Sequence, residues 1–293
     1  MNPSLDRLAR DIGREIDDEL QRSGIFYRIF IRAKSESSIT KKLSDKDYKN
    51  SEEKKLMQDV IGIRITMYFT DDLSIVYNAL KSKFDFESET IDQTEETVFK
   101  PTRTNLVFRM DQEKAKETFD SIILKHQYID TTYEVQLRTV LSEGWHEVDH
   151  DLRYKCKDDW KEHLDISRTF NGVYASLITS DWSIITIFEQ LAYRHYKEQN
   201  WTAMLRNKFR LRFIEDSLDS RIIEILNQNL DLARSLFRIE RSVFMNKIFM
   251  DSIRIPLSIT NLVFILNAYF LKNKELFKIT PAFILSNKKL YNS

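Results

Sequence analysis

The chain has 293 residues, 42% of them hydrophobic and 31% charged, with five Gly, four Pro and one Cys. Lys plus Arg and Asp plus Glu both number 45, so the formal net charge is zero, which excludes a histone-like polycation but not a local basic groove. So few turn formers exclude an all-β sandwich and a disordered chain and favour helices, while the lone Cys156 excludes a disulfide framework and suits a reducing cytoplasm.

The N-terminus carries acids from its sixth residue and no apolar run, so it does not read as a signal peptide. Leu5, Leu8, Ile12, Ile16 and Leu20 step by three or four and predict an amphipathic helix ending at Ser23-Gly24. Ile25 to Arg32 reads as a strand, followed by short polar helices over Ser35–Leu43 and Ser51–Gln58 around a lysine-rich loop. Val60 to Phe69 is almost continuously apolar and reads as a central strand. Leu73, Val76, Tyr77, Leu80 and Phe84 predict a helix, and Asp85–Phe99 reads as acidic and irregular. A strand follows over Asn105–Met110, then a helix over Glu113–Leu124 with Ala115, Phe119, Ile122 and Ile123 inward, then a strand over Tyr128–Arg138. Strands alternating with helices imply an α/β or α+β domain over about residues 1–155, and α+β is the class expected. From Cys156 helical stripes dominate, among them Ile178, Trp182, Ile185, Phe188, Ala192 and Tyr196, so residues 156–293 read as a helical module. Ile255–Leu271 is uncharged but contains Pro256, Asn261 and Asn267 and is short for a span; it reads as a buried core helix, with no membrane partner.

Four features carry candidate chemistry. Arg32 and Lys34 end a strand, and Ser38 and Lys42 share the face of the next helix; such converging cations suit a polyphosphate or else form a solvated surface. Asp59 precedes the apolar strand that contains Gly62 and Arg64; it reads as a Mg²⁺ ligand or as a turn cap. Glu134, Gln136 and Arg138 alternate on one strand face and line either water or a site. His146-Glu147-Val148-Asp149-His150 matches a zinc-protease pattern, but the supporting ligands are missing. Leu141, Trp145, Val148 and Leu152 are expected to form the buried face of that helix, with Glu143, His146, Glu147 and His150 opposite or beside it.

In order, Arg32-Ala33-Lys34 with Ser38-Ile39 and Lys42, Asp59 to Arg64, Glu134 to Thr139, and His150 to Lys155 resemble the synthetase domain of the RelA/SpoT family of nucleotide pyrophosphokinases. The resemblance covers about residues 5–155. It implies a nucleotidyltransferase-like mixed sheet and transfer of the β,γ-pyrophosphate of ATP to the 3′-hydroxyl of an acceptor, GDP or GTP, in (p)ppGpp-type alarmone synthesis. By that resemblance Arg32, Lys34, Lys42 and Arg64 grip donor phosphates with Ser38 beside them, and Asp59 with Glu134 holds Mg²⁺. Glu134 also helps deprotonate the acceptor, while Gln136, Arg138 and His150 line or support the site. No hydrolase module is expected in the first 25 residues.

One departure concerns the acceptor. Relatives that use GDP or GTP carry a Gly-Tyr-x-Ser-x-His loop whose tyrosine stacks on the base; the corresponding region here, Lys100 to Phe108, has neither Gly nor Tyr. Arg103 and Asn105 become the acceptor-binding candidates, with Phe99, Phe108 or a ring of the helical half as substitute platforms. Glu143 also stands where some relatives have a neutral polar residue. Two other readings stay open. One is a toxin-like synthetase that modifies a tRNA 3′ end, drawing on the basic and aromatic residues of 194–213. The other is a non-catalytic nucleotide sensor. The helical module is left as a surface for a second copy, a regulator or the acceptor.

Overall fold

The computed structural model describes residues 2–45, 56–91, 104–123 and 128–291, with the backbone alone at 45, 117 and 119–123. The chain divides into two compact units, each discontinuous in sequence: residues 1–18, 27–68 and 80–179, and residues 19–26, 69–79 and 180–293.

The first unit is built on a five-stranded mixed sheet, β1 (Tyr27–Ala33), β2 (Ile61–Met67), β3 (Phe86–Ile91), β4 (Thr104–Arg109) and β5 (Thr132–Thr139), in the order β1-β2-β5-β4-β3. β2 and β5 run parallel at the centre and every other pairing is antiparallel. This is the expected α+β class: a mixed sheet with flanking helices, followed by a helical C-terminal region.

Alternation along the strands gives the sheet two unlike faces. Ile61, Ile63 and Ile65 of β2, Tyr133, Val135 and Leu137 of β5, and Leu106 and Phe108 of β4 are buried on one of them. Each fully buried side chain of this size contributes about 1.5–3 kcal/mol. α1 (Pro3–Arg22) lies on that face, because a Cβ at Gly13 would stand 2.2 Å from Ile31 Cδ1. Lys114 of α4 (Gln112–Ile123) pairs with Glu15 of α1 at 2.5 Å and places α4 beside it. The other face is polar and is bordered by α2 (Glu36–Asp45) and α5 (Val140–Val148).

Three expectations are corrected. Phe86–Ile91 is not irregular but an edge strand; between Phe86 and Ile91 it has only Glu, Ser and Thr, so it is legible only once β4 pairs with it. Leu56–Gln58 is extended rather than helical, with Met57 bridging Ile129 in parallel. The remainder of that expected helix, Ser51–Lys55, lies outside the described residues, as do Asp92–Phe99 and the side chains of Phe119, Ile122 and Ile123.

The buried face of α5 is Ser142, Trp145 and His146, continued by Asp149, whereas Val148 and Leu152 are exposed. The α-helix opens into a π-helical segment at Asp149–Tyr154, which shifts the phase of the stripe only beyond Val148. Trp145 stacks on Phe170 of α7 (Leu164–Lys197) and pulls its neighbour His146 inward against Tyr174.

In the second unit α3 (Asp72–Lys83) begins at a buried ion cluster. Asp72, 0% exposed, pairs with Arg241 at 2.6 Å, and Arg241 Nε donates to Phe209 O at 2.6 Å. Arg210 pairs with Asp71. Trp201, Phe209, Phe244 and Phe264 are buried among the C-terminal helices. Ile259–Leu266 is a buried helix there, and no helix of the described residues is long and apolar enough to cross a membrane.

Candidate active site

Strand pairing assembles the polar face in rows, since residues opposite one another in a sheet share a side. One row reads Arg32, Gly62, Glu134, Val107; the next reads Phe30, Arg64, Gln136, Asn105; a third includes Thr66 and Arg138. The Glu134, Gln136 and Arg138 alternation thus lies on the polar face, with Gln136 Nε2 donating to Glu134 Oε1 at 2.6 Å.

At the N-terminal end of β2, Asp59 is held by two cations. Lys34 Nζ donates to its backbone O at 2.9 Å and to its Oδ2, and Lys42 Nζ reaches Oδ2 at 2.5 Å. Lys34 is positioned by the end of β1, where its N–H donates to Val60 O at 2.9 Å; Lys42 is positioned by α2. Burial opposes ionisation of Asp59, but the Lys34 charge and the two lysine hydrogen bonds outweigh it and hold the carboxyl below its ordinary value. Burial pulls the Lys34 ammonium down, and Asp59 offsets part of this. Asp59 Oδ1 is buried without a hydrogen-bond partner. Ser38 is exposed and bonds Ser35 Oγ at 2.8 Å, and Arg32 is exposed on the edge strand.

Arg64 is gripped from the opposite side. Thr139 ends β5 and caps α5, its Oγ1 accepting from Ser142 N at 3.1 Å while Ser142 Oγ accepts from Thr139 N at 3.0 Å. That abrupt strand-to-helix turn sets Glu143 in the first turn of α5 and Glu147 one turn later. Arg64 Nη1 donates to Glu143 Oε1 at 2.5 Å and to Glu147, and Arg64 Nε donates to Gln136 Oε1 at 3.2 Å. Burial opposes the guanidinium charge, yet Glu143 and Glu147 prevail and raise its pKa. Arg138, 7% exposed, lies 3.3 Å from His146 Nε2 and 4.0 Å from Glu143 Oε2.

A hard cation needs oxygen ligands, and among the described residues no cluster of three or more His, Cys, Asp or Glu gathers to hold a metal. Mg²⁺ needs few protein ligands because it keeps waters and phosphate oxygens. The unpartnered Asp59 Oδ1 and the Glu134 carboxylate fit that limited demand. Above Gly62 nothing stands within 4 Å of where a Cβ would be, so the face is open between Arg32 and Glu134.

Residues 31–159 match the family model described as the region found in RelA / SpoT proteins. This segment is a RelA/SpoT-family domain. At the level of the family it is of the (p)ppGpp-synthetase type, a nucleotide pyrophosphokinase domain. Among solved structures, small alarmone synthetase 1 from Bacillus subtilis aligns at 20% identity over 61% of this chain and 92% of its own, with a TM-score of 0.42. Small alarmone synthetase 2 from the same organism aligns at 21%, over 62% and 91%, with a TM-score of 0.42. A GTP pyrophosphokinase family protein from Streptococcus pneumoniae aligns at 18%, over 61% and 84%, again at 0.42. No curated protein sequence matches the chain significantly.

The RelA/SpoT-family domain leaves some expected residues apart from the face. His150 is exposed in the π-helical segment, with Nδ1 2.9 Å from Asp151, and His146 is buried, so the zinc-like motif has one histidine inside and one outside. Lys100–Arg103 lies outside the described residues, Arg103 included. Asn105 stands beside Gln136 with its Oδ1 buried and unpartnered. Phe108 is 0% exposed on the apolar face, so it offers no platform to a base, whereas Phe30 is 54% exposed on the polar face. Residues 194–213 also change in meaning: Trp201, Phe209 and Arg210 are internal, while Arg194, Lys197, Arg206 and Arg212 remain exposed. Sequence reasoning did not join Glu143 and Glu147 to Arg64; their spacing of four on one helix was the available signal.

Proposed function

We propose that this domain transfers the β,γ-pyrophosphate of ATP to the 3′-hydroxyl of a nucleotide, with GDP or GTP as acceptor, in a (p)ppGpp-type synthesis in the cytoplasm. The observation that carries the reading is the Lys34–Asp59–Lys42 cluster, with its unpartnered Asp59 oxygen, at the end of β2. Cations and a carboxylate arranged in this way suit a polyphosphate travelling with a divalent ion. Residues 1–155 would form the synthetase part and residues 156–293 a regulatory or acceptor-binding part, for a second copy or another protein.

In the reaction the acceptor 3′ oxygen attacks the β-phosphorus, the bond to the α–β bridging oxygen breaks, and AMP leaves with that electron pair. The hydroxyl proton passes to Glu134. Arg32, Lys34, Ser38 and Lys42 would hold the donor phosphates, and Arg64 and Arg138 would hold or support them; the ion pairs of Arg64 and the burial of Arg138 favour support. His150 would serve at the rim, and Arg103 and Asn105 would face the acceptor. Asp59 and Glu134 would hold Mg²⁺, which supplies neutralisation of the charge developing on the phosphates. Positioning and neutralisation of this kind do most of the work in phosphoryl-type transfer.

The exposed Arg194, Lys197, Arg206 and Arg212 favour a second reading, in which the acceptor is a tRNA 3′ end. Incubation with γ-labelled ATP and separate pools of GDP, GTP, ADP, ATP and tRNA tests both. Label on GDP or GTP supports the first reading and label on tRNA the second. ATP binding without label on any pool leaves a nucleotide sensor and refutes both.

A further inference from the structure

The hydrogen bonds across the polar face run in one direction and begin on α5. A guanidinium has only donors, so Arg64 Nε at 3.2 Å from Gln136 Oε1 fixes which end of the amide faces it. The amide nitrogen is thereby turned to Glu134 and donates to Oε1 at 2.6 Å. Only one oxygen of Glu134 is used in that contact. Arg64 is itself held at Nη1 by Glu143 and Glu147, carboxylates one helical turn apart. One carboxylate would neutralise the guanidinium; two on the same nitrogen also restrict its rotation.

We propose that Glu143 and Glu147 are positioning residues for Glu134, acting through Arg64 and Gln136. They hold the guanidinium, the guanidinium sets the amide, and the amide holds one oxygen of Glu134, leaving the other for the reacting hydroxyl or the cation. With Nε on Gln136 and Nη1 on the two carboxylates, one donor of each bidentate edge of Arg64 is committed to the protein, so neither edge is wholly left for a phosphate fork. Gln136 is therefore more than a lining residue, and the acidic pair on α5 becomes part of the machinery. The proposal rests on the reading of Glu134 as the reacting carboxylate.

The test compares the parent, Glu143→Gln/Glu147→Gln, Gln136→Met and the triple variant in steady-state transfer from ATP, alongside a crystal structure of the double variant. The double variant and Gln136→Met should each lower kcat by about 10- to 100-fold, the scale of loss for a small misplacement of a reacting group. The KM for ATP should stay within about twofold of the parent, since donor binding is not what is lost. The triple variant should be no slower than Gln136→Met alone, because both changes act through one amide. In the crystal structure the Gln136 amide should have turned away from Glu134. Losses that multiply in the triple variant, or a raised KM for ATP at unchanged kcat, would overturn the proposal. A parent without transfer to any acceptor would sink the functional reading, and the crystal structure then decides the relay unaided: an unchanged Gln136–Glu134 contact overturns it.

Discussion

Replacing Asp59 by Asn keeps its size and removes its charge, and the consequences for stability and activity separate. The carboxylate sits between Lys34 and Lys42 with side-chain exposures of 20%, 15% and 28%. Each charge-assisted hydrogen bond of this kind contributes about 1.5–3 kcal/mol, and the relief of a partly buried charge gives some of that back. The two lysines would then face each other without a counter-charge. A net loss of about 1–2 kcal/mol is expected, seen as a fall in melting temperature of about 2–8 °C for a chain of this size. Burial works against the ionised form, but Lys34 and the lysine hydrogen bonds prevail, so Asp59 ionises below its ordinary 3.8. Its stabilisation is therefore complete at neutral pH and is lost as the pH falls through that depressed value, so the gap between parent and variant melting curves should shrink in acid. Transfer from γ-labelled ATP should fall by at least about 100-fold, the scale of losing one preorganised electrostatic partner. Circular dichroism confirms that the variant is folded before activity is read. Parent-like transfer by a folded Asp59→Asn protein would refute the reasoning, and so would a stability gap that persists unchanged into acid.

Gly62→Ala meets open space, so stability should hold or rise by about 0.5–1 kcal/mol while transfer falls, because the methyl group stands where the nucleotide would lie. Urea titration and the transfer assay read the two effects, and undiminished activity would remove Gly62 from the site. Arg241→Met leaves Asp72 buried without its main partner and should cost about 3–5 kcal/mol at neutral pH. Burial already raises Asp72, with Arg241 opposing, so the loss should shrink as the pH falls through that raised value and the carboxyl takes up a proton; urea titration at neutral and acid pH checks this. Purified protein should carry no stoichiometric zinc, because His146 is buried beside Arg138 and Tyr174 while His150 pairs outside with Asp151; one zinc per chain by elemental analysis, lost on His146→Ala, would reverse that.

Much of the sheet was legible because alternation and apolar runs are local signals. Ile61, Ile63 and Ile65 announce β2, and Glu134, Gln136 and Arg138 announce one polar face of β5, before any partner strand is known. β3 escaped because an edge strand buries little, and its acidic, half-exposed residues carry no apolar stripe. The inward turn of His146 escaped for a different reason. Ser142, Trp145, His146 and Asp149 fall on one regular helical face, but three of the four are polar, so the apolar spacing of Val148 and Leu152 points to the wrong side.

By itself, then, the sequence determined most of the strands and helices, that one sheet face is polar, and which residues resemble the RelA/SpoT motifs, since these depend on neighbours within a few positions. Only the tertiary structure decided that Lys34 and Lys42 close on one oxygen of Asp59, and that Glu143 and Glu147 take Arg64 from across the β2–β5 pair. Those contacts join groups up to 83 residues apart in the chain. They depend on the parallel register that sets Arg64 beside Gln136 and on the Thr139 cap that turns α5 back over the face. No local pattern encodes a distance between two elements. It follows from how their buried faces pack, and packing is settled by the whole core at once.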